Sequence, residues 1–226
     1  QHHYDLQLLS ALMSTYVAEF LHHRSINQFM SIYLGQDIAK KVLKGQVSRG
    51  QVQQVEAAIW FSNVDQLECT YDDYSPEKHL GELNGYYHQL INLIESNGGQ
   101  VLKFMGDGML AMFEGDQSCH LALEAAVESL KVKHAFKHSV SLHYGHFDFG
   151  NIGSNNRLDF TAIGPQIQLA SKIQQVAEHL DCALLGSDAF AQKVQGCLKP
   201  LGYYRLDGIK RLQLLYALNS FSPSES

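Results

Sequence analysis

The feature that most constrains this sequence is a strand–turn–strand pattern at residues 98–113. Residues 101–105 favour an extended strand, Gly106-Asp107-Gly108 has the composition of a tight turn, and an apolar run resumes at 109–113. Such a hairpin holds Asp107 at the tip of two hydrogen-bonded strands, the kind of rigid support that an oxygen ligand of a hard cation needs. Asp-Gly is also a common turn pair, so the pattern alone fits a purely conformational role for Asp107 equally well.

Composition and charge exclude several functional classes. Of the 226 residues, 45% are hydrophobic and 18% charged, which is typical of a globular domain with a sizeable core. The formal net charge is −6 and there is no basic stripe, so we expect no nucleic-acid partner and no contact of this segment with an anionic membrane. There is no apolar run of about 18 residues and no signal-peptide pattern. We therefore expect a cytoplasmic segment, either by itself or as the soluble part of a larger membrane-bound or sensor protein.

Hydrophobic periodicity predicts an α+β fold. An uninterrupted apolar run at 57–64 is typical of a strand buried on both faces. Ser75-Pro76 opens a helix whose apolar stripe ends at Asn97-Gly98-Gly99. The elements predicted after the hairpin are a helix, two strands, a helix, a short strand and a final hairpin, at 118–135, 139–149, 158–163, 165–180, 182–185, and 203–206 with 212–218. This order is that of a ferredoxin-like βαββαβ core with an added C-terminal strand and hairpin.

The N-terminal part of the chain predicts helices only. Residues 4–43 carry apolar side chains at helical spacing, with a break at 22–25, and predict two helices. These helices either pack on the following domain or form a dimerising segment that transmits an upstream signal. We divide the chain into an N-terminal helical segment at 1–50, a main domain at 51–219 and a flexible tail at 220–226.

Several motifs in collinear order resemble the catalytic domain of class III nucleotidyl cyclases, the adenylate and guanylate cyclase family. They are Ala57–Val64, the hairpin, His143–Gly153 and Arg157–Gly164, and the resemblance extends over residues 45–218. It implies the ferredoxin-like core of the class III cyclase type, a dimer, Mg²⁺ or Mn²⁺ as cofactor, and ATP or a related purine nucleotide as ligand. In that family a short helix and a glycine-bounded linker commonly precede the catalytic strand, which favours the signalling role for the N-terminal segment.

The resemblance implies a weakened metal site. The family has one metal-binding aspartate at the end of the first strand and another in the hairpin, and the two ions they hold bridge the attacking and departing oxygens. Asp107 matches the second aspartate, whereas the first falls on Asn63, which keeps a carbonyl oxygen but has no negative charge. Asp65 is either a substitute ligand or a solvated turn residue, and Gln66 replaces the glycine that follows in the family.

The family's residues for the purine base are retained. Lys103 matches the lysine that contacts the purine, although an ordinary exposed lysine on a strand has the same appearance in sequence. Thr161 occupies the companion position, and a threonine or serine there resembles the bacterial subgroup that uses adenine. Arg157, in the same motif as Thr161, is a further candidate for substrate binding.

The family's catalytic clamp is altered. Its asparagine and arginine fall on Gln168 and Lys172, which are four residues apart and so share one helix face. Glutamine is one methylene longer than asparagine, and lysine lacks the planar fork with which arginine binds phosphate in two places. A triphosphate-binding lysine of the last hairpin falls on Asp207, which reverses the charge.

These departures favour a dimeric, nucleotide-binding domain of cyclic-nucleotide signalling whose catalysis is weak or lost. Removing one preorganised charge-stabilising group typically costs about 2.7 to 4 kcal/mol, although groups that act together do not add in full. Two alternatives stay open. One is a working adenylate cyclase that converts ATP to cyclic AMP and pyrophosphate. The other is a half-enzyme that lends Lys103 and Thr161 to a complete partner, so the dimer is formed either with a second copy or with another cyclase domain.

Overall fold

The computed structural model describes residues 2–45, 50, 52–64, 75–132, 136–154 and 156–218. Within these residues the helices are α1 (His2–Leu34), α2 (Gln36–Leu43), α3 (Pro76–Ser96), α4 (Ser118–Lys131), α5 (Pro165–His179) and α6 (Asp188–Ala191). The strands are β1 (Val52–Val64), β2 (Gly99–Met105), β3 (Gly108–Glu114), β4 (His138–Ser154), β5 (Arg157–Ile163), β6 (Leu184–Ser187), β7 (Leu198–Tyr204) and β8 (Gln213–Leu218). The chain divides into two compact units, Gln1–Gln51 with Asn151–Phe160, and Val52–Gly150 with Thr161–Ser226.

The larger unit is built on one mixed sheet. Its strand order is β2-β3-β1-β4-β6-β8-β7, and β5 pairs with β4. β1 is antiparallel to both of its neighbours, so that Ile59 lies between Met112 on β3 and His143 on β4. β6 joins β4 in parallel and continues the sheet into the β7–β8 hairpin. The predicted α+β fold, a ferredoxin-like core with an added C-terminal strand and hairpin, is confirmed.

The two faces of β1 are buried against different helices. Trp60 and Ala58 belong to a core cluster with residues of α3 and α4. Phe61 and Asn63 alternate with these residues along the strand and point to the other face of the sheet. α5 covers that face, and its Ile173 belongs to a second core cluster. This arrangement explains why the run at 57–64 shows no apolar–polar alternation.

Local signals set the bounds of α3. Pro76 stands in its first turn, where the missing backbone N–H is not needed. Gly98, with φ 75°, follows its end at Ser96.

β7 begins five residues earlier than the predicted Tyr203, at Leu198, although it contains Pro200. Because β7 is an edge strand, a proline there removes no hydrogen bond from the sheet interior.

The predicted break at residues 22–25 is wrong. α1 continues through these residues, and the break between α1 and α2 lies at Gly35, which has φ 77°. The segment contains neither glycine nor proline, and Ser25 Oγ donates to the carbonyl oxygen of Leu21 at 3.0 Å. A polar composition therefore marked an exposed stretch of helix rather than its end.

The smaller unit contains α1, α2 and the turn between β4 and β5. Ile38 and Ala39 of α2 are buried, and Lys41 Nζ lies 5.6 Å from the ring centroid of Phe160. By contrast, α1 exposes many large apolar side chains: Leu9, Leu12, Met13, Tyr16, Val17, Phe20, Leu21, Phe29, Ile32 and Tyr33. Among the described helices, none combines the length and the apolar composition that crossing a bilayer requires.

Candidate functional site

Asn63 and Asp107 lie next to each other at the end of β1. Asn63 is opposite Gly108 in the β1–β3 ladder. The backbone N–H of Val64 donates to the carbonyl oxygen of Asp107 at 3.1 Å. A Cβ added at Gly108 would lie 3.1 Å from Oδ1 of Asn63. A side chain at position 108 would therefore press on Asn63, and the amide oxygen of Asn63 faces the hairpin.

The nitrogen of the same amide is bound to Glu178, which the sequence did not single out. Asn63 Nδ2 donates to Glu178 Oε1 at 3.0 Å. Because a carboxylate can only accept hydrogen bonds, this contact requires the nitrogen, not the oxygen, to face Glu178. Gln174 Nε2 donates to the same carboxylate oxygen at 3.3 Å and to Ser139 Oγ at 2.7 Å. Asn63, which the resemblance aligns with the family's first metal aspartate, is thus a neutral donor to another carboxylate.

The groups on this edge do not fit a two-ion centre. Asp107 offers one carboxylate, Asn63 one amide oxygen, and Glu178 a carboxylate that two amide nitrogens already engage, whereas two hard cations require more free negative charge. Among the described residues, no three histidine, cysteine, aspartate or glutamate side chains are close enough to hold a metal ion. Asp65 and Gln66 lie outside the described residues.

Tyr87 on α3 supports the hairpin tip. Its hydroxyl donates to the carbonyl oxygen of Gly106 at 3.0 Å, and its ring centroid lies 4.8 Å from that of Phe104. Burial raises the pKa of Tyr87, and the charge of nearby Asp107 raises it further. The hydroxyl therefore stays protonated and fixes the turn that carries Asp107.

A row of polar side chains on β4 sets the position of α5. Ser139, Ser141 and His143 alternate along the strand and so point to the same face. Ser139 Oγ accepts from Gln174 Nε2, and Ser141 Oγ donates to the carbonyl oxygen of Ala170 at 3.1 Å. His143 Nε2 lies 2.7 Å from Gln166 Oε1. These contacts, spaced four residues apart on α5, turn its opposite side, with Gln168 and Lys172, away from the sheet.

His143 is held as a neutral ring in this row. Its Nδ1 lies 2.7 Å from Ser187 Oγ, and Ser187 Oγ already accepts from the backbone N–H of Phe190. Because Gln166 Oε1 can only accept, Nε2–H donates to it, and Nδ1 of the neutral ring accepts from the Ser187 hydroxyl. Burial lowers the pKa of His143, while the hydrogen bond with Gln166 opposes that shift. Polar residues alternating inside an otherwise apolar strand were the sequence signal for this row.

A groove of about 620 Å³ lies beside the outward side of α5. It is lined by residues of β1, the hairpin, α5 and the β7–β8 turn: Phe61, Met105, Ile167, Gln168, Ser171, Lys172, Gln175, Asp207, Gly208 and Ile209. The structure thus brings Gln168, Lys172 and Asp207 together. Lys172 Nζ donates to Gln175 Oε1 at 3.0 Å, so the lysine is already engaged within its own helix.

The remaining candidates lie outside this lining. Lys103 is half-buried on β2, where the ladder with β3 shifts register between Val101 and Lys103. Thr161 is buried on β5, with 8% of its surface exposed. Arg157 is exposed and belongs to the smaller unit. Neither Asn63 nor Asp107 lines the groove.

No protein-family model matches the chain. Adenylate cyclase 1 of Rhizobium meliloti (strain 1021) is 21% identical over 197 residues, which cover 79% of this chain and 30% of that protein. The adenylate cyclase of Anabaena cylindrica is 22% identical over 185 residues, covering 74% of this chain and 35% of that protein. The chain therefore spans about a third of the length of these curated relatives.

Solved structures show the same fold. A bacterial light-regulated adenylyl cyclase superposes with a TM-score of 0.76 at 20% identity, covering 94% of this chain and 64% of that one. The adenylyl cyclase CyaB from P. aeruginosa gives a TM-score of 0.65 at 18% identity, with 76% and 97% of the two chains covered. Sequence relatives and structural neighbours agree: the chain is similar to adenylate cyclases and has the fold of the class III nucleotidyl cyclase catalytic domain.

Proposed function

We propose that this is a dimeric, nucleotide-binding cyclase-like domain of cyclic-nucleotide signalling in which catalysis is weak or lost. The observation that carries the proposal is the hydrogen bond of 3.0 Å between Asn63 and Glu178. In the family a carboxylate at this position holds metal, whereas this chain has an amide whose nitrogen is already hydrogen-bonded to Glu178. The carboxylates at this edge are then Asp107 and Glu178, of which Glu178 already accepts from two amide nitrogens, and at most one Mg²⁺ or Mn²⁺ is bound.

The altered clamp supports the same proposal. Gln168 and Lys172 keep the spacing of the family's pair, but Lys172 is bound to Gln175 and offers one charge without the fork of arginine. Asp207 adds a negative charge to the groove where the family has a phosphate-binding lysine. Displacing such groups by about 1 Å can cost on the order of 10²-fold in rate, so the altered clamp alone is expected to slow turnover strongly.

Nucleotide binding rests on the residues that are retained. Lys103 and Thr161 keep the family's identities for the purine base, and Thr161 favours adenine as it does in the bacterial subgroup. Arg157 is kept as a candidate substrate contact. ATP is expected to bind in the tens of micromolar range or more weakly, because each lost charged contact of about 1.4 kcal/mol lowers affinity tenfold.

The proposed dimer is a two-fold, head-to-tail pair. Asn63 and Asp107 form one edge of the larger unit, and they are absent from the lining of the groove that contains Gln168 and Lys172. Two-fold pairing brings the edge of one chain to the groove of the other and creates two equivalent clefts. The partner is a second copy or, in the half-enzyme alternative, a cyclase domain that supplies both aspartates.

Turnover and binding of ATP test the proposal directly. The purified chain is incubated with Mn²⁺-ATP and with Mg²⁺-ATP while cyclic AMP is measured, and ATP binding is measured by calorimetry. We expect weak ATP binding and a turnover far below about 1 s⁻¹, the lower end of typical enzyme rates. Lys103→Ala is expected to abolish the binding, whereas Lys131→Ala, an exposed lysine at the end of α4, leaves it unchanged.

Two results contradict the proposal in different ways. Turnover at or above about 1 s⁻¹ means that the altered clamp is competent and that the chain is a working adenylate cyclase. If neither ATP nor any other purine compound binds, the domain is a structural dimer without a nucleotide site.

A further inference from the structure

The surface of α1 follows a heptad pattern along the helix. Residues that recur at alternating intervals of four and three lie on one side of a helix, the arrangement of a coiled-coil seam. In α1 this series, which we call the seam, consists of Leu9, Met13, Tyr16, Phe20, His23, Asn27, Met30 and Leu34. Its first four members are each more than half exposed, His23 and Asn27 are exposed, and Met30 and Leu34 are half-buried. Most of a coiled-coil surface is thus presented to solvent.

The composition of α1 indicates that this surface is covered by another molecule. Between residues 9 and 34 the sequence contains a single acidic side chain, Glu19, and a single lysine or arginine, Arg24. A helix that stays in water normally carries many charged residues on its solvent side, whereas a helix with few charges is normally packed against protein. Contiguous exposed apolar surface is itself typical of an interaction site.

The two charges indicate the partner and its direction. Glu19 and Arg24 are five residues apart, so they do not face each other on one helix, and neither forms an ion pair within the described residues. In the heptad of the seam they occupy the flanking g and e positions. A g residue lies beside the next e residue of the other helix in a parallel coiled coil. Two parallel copies of α1 in register therefore place Glu19 of each against Arg24 of the other. In an antiparallel pair g residues face g residues, and this match is lost.

A polar member of the seam supports the same arrangement. Asn27 occupies an a position between the d residues His23 and Met30. An asparagine at one a position of a coiled coil specifies register and oligomeric state at a cost in stability, because its amide finds the amide of the other helix only when the two helices are aligned. The seam thus combines apolar residues that favour pairing with a polar residue that favours one register.

We propose that α1 pairs in parallel and in register with the α1 of a second copy of this chain, and that two reciprocal Glu19–Arg24 ion pairs and the paired Asn27 amides fix this arrangement. The inference rests on the proposed function and deepens it, because it names a second copy rather than another cyclase domain as the partner. It also names the residues that select this partner.

Charge reversal on the full chain tests the ion pairs. Glu19→Arg or Arg24→Glu alone places like charges across the helix pair twice, and each is expected to weaken the dimer about tenfold in sedimentation equilibrium at low salt. The chain with both substitutions, and an equimolar mixture of the two single variants, restore opposite charges and should dissociate within about threefold of the native value. Ala18→Arg, on the outer side of α1, is the control and should leave the dimer unchanged. Single reversals that dissociate like the native chain would overturn the inference.

A cysteine in the seam tests the direction of pairing. Tyr16→Cys is expected to form a disulfide between two chains under mild oxidation, because a parallel pair in register brings the two copies of position 16 together. The native chain gives the background from its own cysteines, and Ala18→Cys should not exceed that background. A dimer that does not cross-link at position 16 would overturn the parallel self-pair and leave the proposed dimer standing. A native chain that is monomeric would contradict both, with a different protein as the occupant of the seam.

Discussion

At position 63, the choice between asparagine and aspartate depends on a residue 115 positions away. Asn63 donates to Glu178 through its nitrogen and turns its oxygen towards Gly108. An aspartate at this position would place a second carboxylate against Glu178, and like charges at that distance repel. The substitution and its partner therefore have to be considered as a pair.

Restoring the aspartate is expected to need a second change. Asn63→Asp alone should lower the melting temperature by a few degrees, since repulsion on an exposed surface costs about 1 kcal/mol or less. Asn63→Asp with Glu178→Gln should recover that loss, because the glutamine amide donates to the new carboxylate. The double variant should also bind Mn²⁺ most tightly and show the largest rise in cyclic AMP output.

Thermal melts and Mn²⁺ titration by electron paramagnetic resonance measure these effects. Asn156→Asp, the same change on an exposed turn, is the control and should alter neither. Independent effects of the two substitutions on melting temperature and Mn²⁺ affinity would show that Glu178 does not govern this position. No gain of Mn²⁺ affinity in either aspartate variant would show that Asn63 is not the lost ligand.

Among the elements, α5 carries two surfaces with different tasks. Gln166, Ala170, Gln174 and Glu178 follow one another every four residues and make hydrogen bonds to the sheet. The groove residues of the same helix lie between them in sequence and face outward. The polar row therefore fixes the rotation of α5, and with it the directions of Gln168 and Lys172.

Acidification is expected to loosen this attachment through His143. Because burial lowers the pKa of His143 below its ordinary value of 6.5, the unfolded chain takes up the proton at a higher pH than the folded one. The contribution of His143 to stability is thus complete above pH 6.5 and is lost as the pH falls towards the folded-state pKa. The melting temperature of the native chain should fall more steeply between neutral and mildly acidic pH than that of His143→Gln, which keeps a polar side chain but does not titrate.

His120→Gln is the matched control, because His120 is exposed at the start of α4. Its melting temperature should follow the native pH profile. If His143→Gln follows that profile as well, the ring does not contribute to the acid sensitivity of the fold.

For the whole molecule, the exposed apolar surface of α1 is the main indication of assembly. Leu9, Met13, Tyr16 and Phe20 recur at intervals of four, three and four residues, and between 56% and 71% of each is exposed. That spacing matches the seam of a coiled coil, in which a second helix covers the apolar side chains. It supports the dimerising role proposed for the N-terminal segment at 1–50.

A charge in the seam is expected to weaken the dimer. Phe20→Glu should shift the chain towards monomer in multi-angle light scattering at micromolar concentration, since a carboxylate would be buried without a partner in the helix pair. Ala18→Glu, on the opposite side of the same helix, should leave the dimer intact. A native chain that is monomeric under these conditions would contradict both the seam and the head-to-tail pair.

The sequence by itself determined the elements whose signals are local. The apolar run of β1, the Gly-Asp-Gly turn, and the proline and glycines that bound α3 act on their own stretch of backbone, so their positions were predictable. The break at 22–25 was misplaced because polar composition was taken as a stop signal, while the residue with the required positive φ is Gly35. The predicted β7 was too short because of Pro200. A proline is tolerated in a strand at the edge of a sheet, and the sequence alone does not show that β7 lies at the edge.

Only the tertiary structure decided what surrounds the candidate residues. The partner of Asn63, the row that fixes α5 and the lining of the groove each join segments that are far apart in the chain. Such contacts depend on strand register and helix rotation, which the packing of the whole domain sets. The candidate residues other than Glu178 were therefore visible in the sequence. Their electrostatic environment, which governs what they bind, was not.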